Sequence, residues 1–281
     1  MLRLEEIRRI RGMGGADVVR AHGPRTRGLL RAPEGVPVVI AARNEQEDLP
    51  RTLLALADSL RPVQVWVVVN GTTDDTAARA EEMGAHVLEG LIPSKMASLQ
   101  LAVRTITQRG SSGPILFTDA DTLVGPRWAQ VMAARCRAAD RPVITLGNAL
   151  FWDGDSRAAD LIRNARKIAH AGRTQLTQRC AIAQGANLAI DFAGSEEALA
   201  SYLAIDKSRF IGEEEEIVNT ILAAGGSWRN AYGMGATVVT RGDRFDLMSL
   251  WRLRGDRDFS VRRAMYAEYG DVRPYGSVIG P

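Results

Sequence analysis

The chain has little lysine, cysteine or histidine, and each shortage excludes something. Lysine occurs only at Lys95, Lys167 and Lys207, so 33 of the 36 basic residues are arginine. Those arginines are scattered and not interleaved with aromatics, which make up only 6% of the chain, so the pI near 9.1 and formal charge of +3 describe no nucleic-acid groove. Two cysteines, Cys136 and Cys180, give no disulfide framework and lack metal-ligand spacing, so a reducing, cytoplasmic setting is expected. His22, His86 and His170 pair with no serine or cysteine as a triad would require, and read as packed or surface side chains. Trp152, Trp228 and Trp251 read as core rather than as sugar-stacking platforms. No apolar run approaches the roughly 20 residues that cross a bilayer, so no transmembrane segment is expected. Met1 to Glu6 lack the apolar stretch of a secretory leader.

What remains is an ordinary globular composition, 46% apolar and 25% charged, in a chain long enough for one large α/β domain or two fused halves. Residues 1–34 are Arg-rich and broken by Gly12, Gly14, Gly15, Gly23 and Pro24. They read as a short helix near Leu4 to Ile10 followed by an irregular arm. Gly12-Met13-Gly14-Gly15 is no phosphate loop, because no strand precedes it. From residue 36 apolar runs alternate with helical periods. Val36 to Ala42, Val63 to Val69, Ala85 to Leu88 and Pro114 to Thr118 read as strands. Leu49, Leu53, Leu56 and Leu60 form one helical stripe, and Leu99, Val103 and Ile106 another, capped by Ser94. Thr73-Asp74-Asp75-Thr76 opens a third helix.

Beyond Gly125 the alternation loosens. Arg141 to Gly147, Ala181 to Ile190 and Trp228 to Thr240 read as strand regions. Ala158 to Ala171 and Glu213 to Ala224 read as helices, and residues from Arg241 onward as a charged helical tail. The expected fold is a Rossmann-like, mostly parallel sheet with helices on both faces and a smaller subregion. The expected units are an Arg-rich arm (1–34), a first half (35–125), a second half (126–245) and a helical tail (246–281).

Ligands in such sheets sit beyond the carboxyl ends of the strands. Polar residues fall there: Arg43-Asn44-Glu45, Asn70-Gly71-Thr72 and Asp119-Ala120-Asp121. On an extended chain alternate side chains face the same way, so Asp119 and Asp121 can reach one site. A pair of carboxylates there suits a divalent cation, Mn²⁺ or Mg²⁺, shared with the oxygens of a nucleoside diphosphate. The plain alternative is a solvated turn, where aspartate is common.

Six elements in order resemble the family 2 glycosyltransferases, which have the GT-A fold. They are Val39-Ile40-Ala41-Ala42-Arg43-Asn44-Glu45, Val67 to Thr76, Ser94-Lys95 with Leu99-Gln100, Phe117 to Thr122, Gly185-Ala186-Asn187, and Gly212 to Ile217. The resemblance spans roughly residues 36–241. It implies hexosyl transfer from a nucleoside diphosphate sugar to an acceptor hydroxyl or amine, with inversion and with a metal, residues 35–125 being the nucleotide-sugar-binding half and 126–245, with the smaller acceptor-side subregion, the acceptor-binding half. It further implies that Ala41, Glu45, Asn70, Lys95 and Asp119 line the donor site. Asp121 and Asp119 would hold the metal, and Glu214 or Glu213 would deprotonate the acceptor. The chain departs from the family pattern at several positions. Val69-Asn70 replaces paired acids, Ser94 replaces glycine, Gln100 replaces asparagine, and Glu213-Glu214 replaces Glu-Asp. Four acids at a helix start also complement its dipole, which is the plain reading of that run.

Other readings fit less well. A haloacid dehalogenase-type phosphatase needs threonine one place after Thr122. A sugar nucleotidyltransferase needs a Gly-rich basic loop where Ala41-Ala42-Arg43-Asn44 stands. A non-catalytic nucleotide-sugar-binding protein of the same fold is the strongest alternative. The acceptor is left open among small molecules, natural products, lipid head groups and proteins. A homodimer is compatible with the sequence.

Overall fold

The computed structural model describes residues 9–92, 94–138, 140–151, 185–207, 213–232 and 235–241, with the backbone alone at Phe151 and Glu213. The expected helix over 158–171 and the tail beyond residue 241 lie outside these residues.

The chain order is α1 (Gly15–Leu29), β1 (Val36–Ala42), α2 (Leu49–Ala57), β2 (Val63–Asn70), α3 (Thr76–Met83), β3 (His86–Gly90), α4 (Lys95–Gln108), β4 (Ile115–Phe117), β5 (Thr122–Leu123) and α5 (Trp128–Cys136). There follow β6 (Val143–Leu146), β7 (Ala149–Phe151), a 3₁₀ turn (Gly185–Asn187), β8 (Leu188–Asp191), α6 (Glu196–Leu203), α7 (Glu213–Ala223), β9 (Ser227–Asn230) and β10 (Val238–Thr240).

Seven strands form one sheet in the order β3-β2-β1-β4-β8-β6-β9, in which only β8 runs antiparallel to its neighbours. Strands β1 and β2 are buried on both faces, and alternate residues serve opposite cores. Val38, Ile40, Val65 and Val67 pack with α1, α2, α3 and α5, whereas Val39, Trp66 and Val68 pack with α4, α6 and α7. Each fully buried aliphatic side chain there stabilises the fold by about 1.5–3 kcal/mol. From β1 the chain first runs outward to β2 and β3, then crosses the opposite face through α4 and returns as β4 on the other side of β1. That reversal makes the gap between the β1 and β4 exits a topological switch point.

A second, three-stranded sheet, β5-β10-β7, sits at the exit end of β4. Asn187 joins it to the main sheet. Its Oδ1 accepts from Trp128 Nε1 (2.9 Å), and its Nδ2 donates to the carbonyls of Asn148 (2.8 Å) and Ala236 (2.6 Å), with the side chain fully buried. Gly147 leaves the room for it, since a Cβ there would stand 2.1 Å from Asn187 Nδ2. The Gly-x-Asn element is therefore a structural pin.

Three expectations change. The stretch expected to be an irregular arm is the 15-residue helix α1, packed on α2 and α3 through Val18, Val19 and Thr26. Gly15, Gly23, Gly28 and Pro24 give it poor intrinsic propensity; contacts with the body override that. Gly15 N–H donates to Glu47 Oε2 (2.8 Å) and Arg51 Nε to Met13 O (2.8 Å). At Gly84 (φ +97°) a Cβ would fall 2.3 Å from Arg27 Cα, so glycine there permits the close approach. Second, Leu60 does not continue the α2 stripe: the helix ends at Ala57 and Leu60 is two-thirds exposed. Third, the 228–240 strand region divides into β9 and β10, which belong to different sheets.

Replacing Asn187 by alanine strands the Trp128 indole N–H and the Ala236 carbonyl and takes one donor from the Asn148 carbonyl, which keeps Val238 N. Urea unfolding should show a loss of about 2–4 kcal/mol; a loss under about 0.5 kcal/mol would contradict the role of this pin.

Candidate functional site

The exits of β1 and β2 are laced together by side chains bonding to backbone. Asn44, in the left-handed region at φ 54°, accepts at Oδ1 from Thr73 N (2.9 Å) and Thr73 Oγ1 (3.3 Å). Glu45 N donates to Thr76 Oγ1 (2.8 Å), Gln46 N to Asp74 Oδ2 (3.2 Å) and Asp75 N to Gln46 Oε1 (3.2 Å). Asp74 Oδ1 accepts from Thr76 N (3.0 Å) and the Thr76 hydroxyl. Burial pushes the Asp74 carboxyl up, but the hydrogen bonds from Thr76 and Gln46 outweigh it and hold Asp74 below its ordinary value. This lacing fixes the floor beside Ala41 and Glu45, both half-buried.

Lys95 is the first residue of α4. A helix N-terminus carries positive partial charge, so a lysine there is disfavoured by a few tenths to about 1 kcal/mol unless acids face it. Two do. Lys95 Nζ lies 3.0 Å from Asp119 Oδ1, after β4, and 2.9 Å from Glu214 Oε1, in the first turn of α7. The lysine and Asp119 are each about one-third exposed and Glu214 about one-sixth. Three elements distant in sequence thus meet at one ammonium. Glu213 begins α7, but its side chain lies outside the described residues.

Asp119 and Asp121 do not alternate along an extended strand. They lie in a turn closed by Thr122 N donating to Asp119 O (3.3 Å), with Ala120 buried between them and its carbonyl accepting from Thr52 Oγ1 (2.7 Å). Asp121 Oδ1 accepts from Thr240 Oγ1 (3.1 Å), which in turn accepts from Thr122 Oγ1 (2.9 Å). Strand β10 therefore orients Asp121. Next to Thr240, Arg241 donates to Asp48 Oδ2 (2.6 Å), while Arg51 holds Asp48 Oδ1 (2.6 Å), tying the second sheet to α2. Thr240 and Arg241 escaped sequence reading: a threonine ending a short strand and one arginine among 33 carry no signal.

Asn70, at the end of β2, is buried, and its Nδ2 donates to Ser94 O (3.0 Å) and Ser98 Oγ (3.1 Å). Of the eight residues expected at the site, Lys95, Asp119 and Glu214 are in direct contact. Asp121 is one turn position from them, Ala41 and Glu45 border the β1 exit, Asn70 faces α4, and Glu213 adjoins Glu214.

Two carboxylates at a cleft are hard oxygen donors of the kind Mg²⁺ and Mn²⁺ take when diphosphate and water oxygens complete the shell. Among the described residues no three His, Cys, Asp or Glu side chains form a complete protein cage. The donor set fits a cation that arrives with its phosphate ligand. Among the described residues no helix is long and apolar enough to cross a membrane.

The model of the family described as glycosyl transferase family 2 matches residues 38–197, more than half of the chain. No curated protein matches it significantly. Among solved structures it is similar to glucosyl-3-phosphoglycerate synthase from Mycobacterium tuberculosis. The complex of that enzyme with phosphoglyceric acid matches at 18% identity, over 91% of this chain and 81% of that one, with a TM-score of 0.49. Its complex with Mn²⁺ and uridine-diphosphate-glucose matches at 18% identity, over 87% and 80%, with a TM-score of 0.49. Its complex with Mn²⁺, uridine-diphosphate-glucose and phosphoglyceric acid matches at 19%, over 82% and 76%, with a TM-score of 0.47. The family match runs from β1 through β8, the strands that build the cleft, and the chain belongs to glycosyl transferase family 2, with the GT-A fold of that family.

Proposed function

We propose that this glycosyltransferase moves a hexosyl group from a nucleoside diphosphate sugar to an acceptor hydroxyl or amine in one inverting displacement. The observation that carries the reading is the Lys95 ammonium set between Asp119, on the sheet side, and Glu214, on the α7 side. The nucleotide lies over the laced floor, with Ala41 and Glu45 bordering the base and ribose. The diphosphate lies at the N-terminus of α4, where the helix end and Lys95 supply positive charge. Asp121, oriented by Thr240, and Asp119 would hold Mn²⁺ or Mg²⁺ with the diphosphate, and the cation would neutralise charge that grows on the leaving group.

The acceptor oxygen or nitrogen attacks the anomeric carbon from the side opposite the diphosphate. A bond from acceptor to sugar forms, the bond from sugar to diphosphate breaks, and its electron pair leaves on the diphosphate oxygen. Glu214 takes the acceptor proton as general base. Lys95 faces both the leaving group and the base: its ammonium offsets the charge that grows on the diphosphate, while the charge on Glu214 falls as it takes the proton.

A thermal-shift panel of nucleoside diphosphate sugars, each with and without Mn²⁺, tests donor recognition. One donor at a hundredfold excess over its Kd should stabilise the protein by about 2.7 kcal/mol, a rise of several degrees, when Mn²⁺ is present. Asp121→Asn should lose the Mn²⁺-dependent part while its ligand-free Tm stays put; an unchanged shift contradicts the metal assignment. Donor binding without consumption, over a broad acceptor set, would instead support the non-catalytic reading.

Glu214→Gln should lower kcat by about 10²–10⁴ with donor binding retained, and nuclear magnetic resonance of the wild-type product should show inversion. Retained anomeric configuration removes Glu214 from the role of base.

A further inference from the structure

We propose that Asn70 is a positioning residue for Lys95, acting through the Ser94–Lys95 peptide rather than by touching the donor. The inference rests on the glycosyltransferase reading above and deepens it. The side chain of Asn70 is 6% exposed, and its Nδ2 donates to Ser94 O and Ser98 Oγ. Its Oδ1 is buried and has no hydrogen-bond partner among the described residues, so the amide's polar contacts are those its Nδ2 makes to α4. The carbonyl it grips belongs to the peptide that begins Lys95. That carbonyl also accepts from Ser98 N (3.0 Å) and Ser98 Oγ (3.0 Å). The first turn of α4 is thereby fastened to β2, a central strand of the buried sheet.

Ser94 fastens the other side as well. Its Oγ accepts from Ala97 N (3.3 Å) and donates to Lys207 O, on the segment that leads to α7. One helical turn on, Gln100 Nε2 donates to the carbonyls of Tyr202 and Ile205, 3.0 Å each. The lysine and the backbone at residue 207 are thus referred to one residue, and Asn70 anchors that residue to the sheet. A lysine side chain forfeits about 2 kcal/mol of rotamer entropy when ordered, so its reach depends on where its backbone begins. Displacements of about 1 Å at a reacting centre cost up to about a hundredfold in rate. The chemistry of the position agrees: an amide donates to a carbonyl, whereas an aspartate at 70 would set a carboxylate against it. This gives a physical reason for Asn70 where the family pattern carries an acid.

A double-mutant cycle on the full chain tests the proposal, with kcat, donor KM and donor Kd measured for wild type, Asn70→Asp, Lys95→Met and the double variant. Asn70→Asp should lower kcat about tenfold or more while donor Kd changes less than about threefold. With Lys95→Met already in place it should cost under about twofold more, because the group it positions is gone. Ser98→Ala, a gentler loss of the same anchor, should show the same non-additivity, and it replaces Asn70→Asp in the cycle if that variant is melted at the assay temperature. Equal effects of Asn70→Asp in both backgrounds, or a raised donor KM and Kd with kcat unchanged, would overturn the positioning role. A wild-type protein that consumes no donor would overturn the glycosyltransferase reading and this inference with it; an active wild type with an additive cycle overturns this inference alone.

Discussion

A single ammonium facing two carboxylates is the constraint on which the site depends. Asp119 and Glu214 each place an oxygen about 3 Å from Lys95 Nζ, which brings two like charges to within roughly 6 Å of each other, a cost that the intervening cation offsets. The pairs are partly exposed, and such contacts add little to stability. Their value is geometric. They join the exit of β4, the start of α4 and the start of α7, so the leaving-group side and the acceptor side of the proposed reaction share one reference point.

The fold supplies that reference point by topology. The reversal of strand order between β1 and β4 opens a crevice, and α4 starts at its rim because it follows β3 in a run of parallel strands and leads back to β4. Around the crevice the backbone is held from several directions: the lacing of residues 44–46 with 72–76, the three-stranded sheet orienting Asp121 through Thr240, and the Asn187 pin joining both sheets. Donors held in place before substrate arrives need no reorganisation during reaction, which is where most electrostatic stabilisation of a transition state originates.

Much of this was legible in the sequence. Strands β1, β2 and β4 are apolar on both faces and could be read as buried parallel strands, and Ser94 was recognisable as the cap of α4, which its bond from Ala97 N confirms. The polar tips after those strands were recognisable as candidates because that is where α/β sheets bind ligands. Helix α1 was illegible because its stability comes from docking: Gly23, Pro24 and Gly28 speak against a helix until Gly84 lets Arg27 approach. The turn at 119–122 was hidden because Asp-x-Asp is compatible with strand and turn alike, and the choice is made by the Thr122 N–H and the buried Ala120. The contact of Lys95 with Glu214 spans 119 residues, and no local pattern encodes it. For Asn70 the position at the strand tip was legible, but the direction of its amide, towards Ser94 and Ser98, was not.

The most direct test of the account is a crystal structure of the chain with a non-hydrolysable nucleoside diphosphate sugar and Mn²⁺. The account predicts the diphosphate at the N-terminus of α4 beside Lys95, with Mn²⁺ against Asp121 and the face of the anomeric carbon opposite the diphosphate turned towards Glu214. A donor bound with its diphosphate away from Asp119, Asp121 and Lys95 would contradict it.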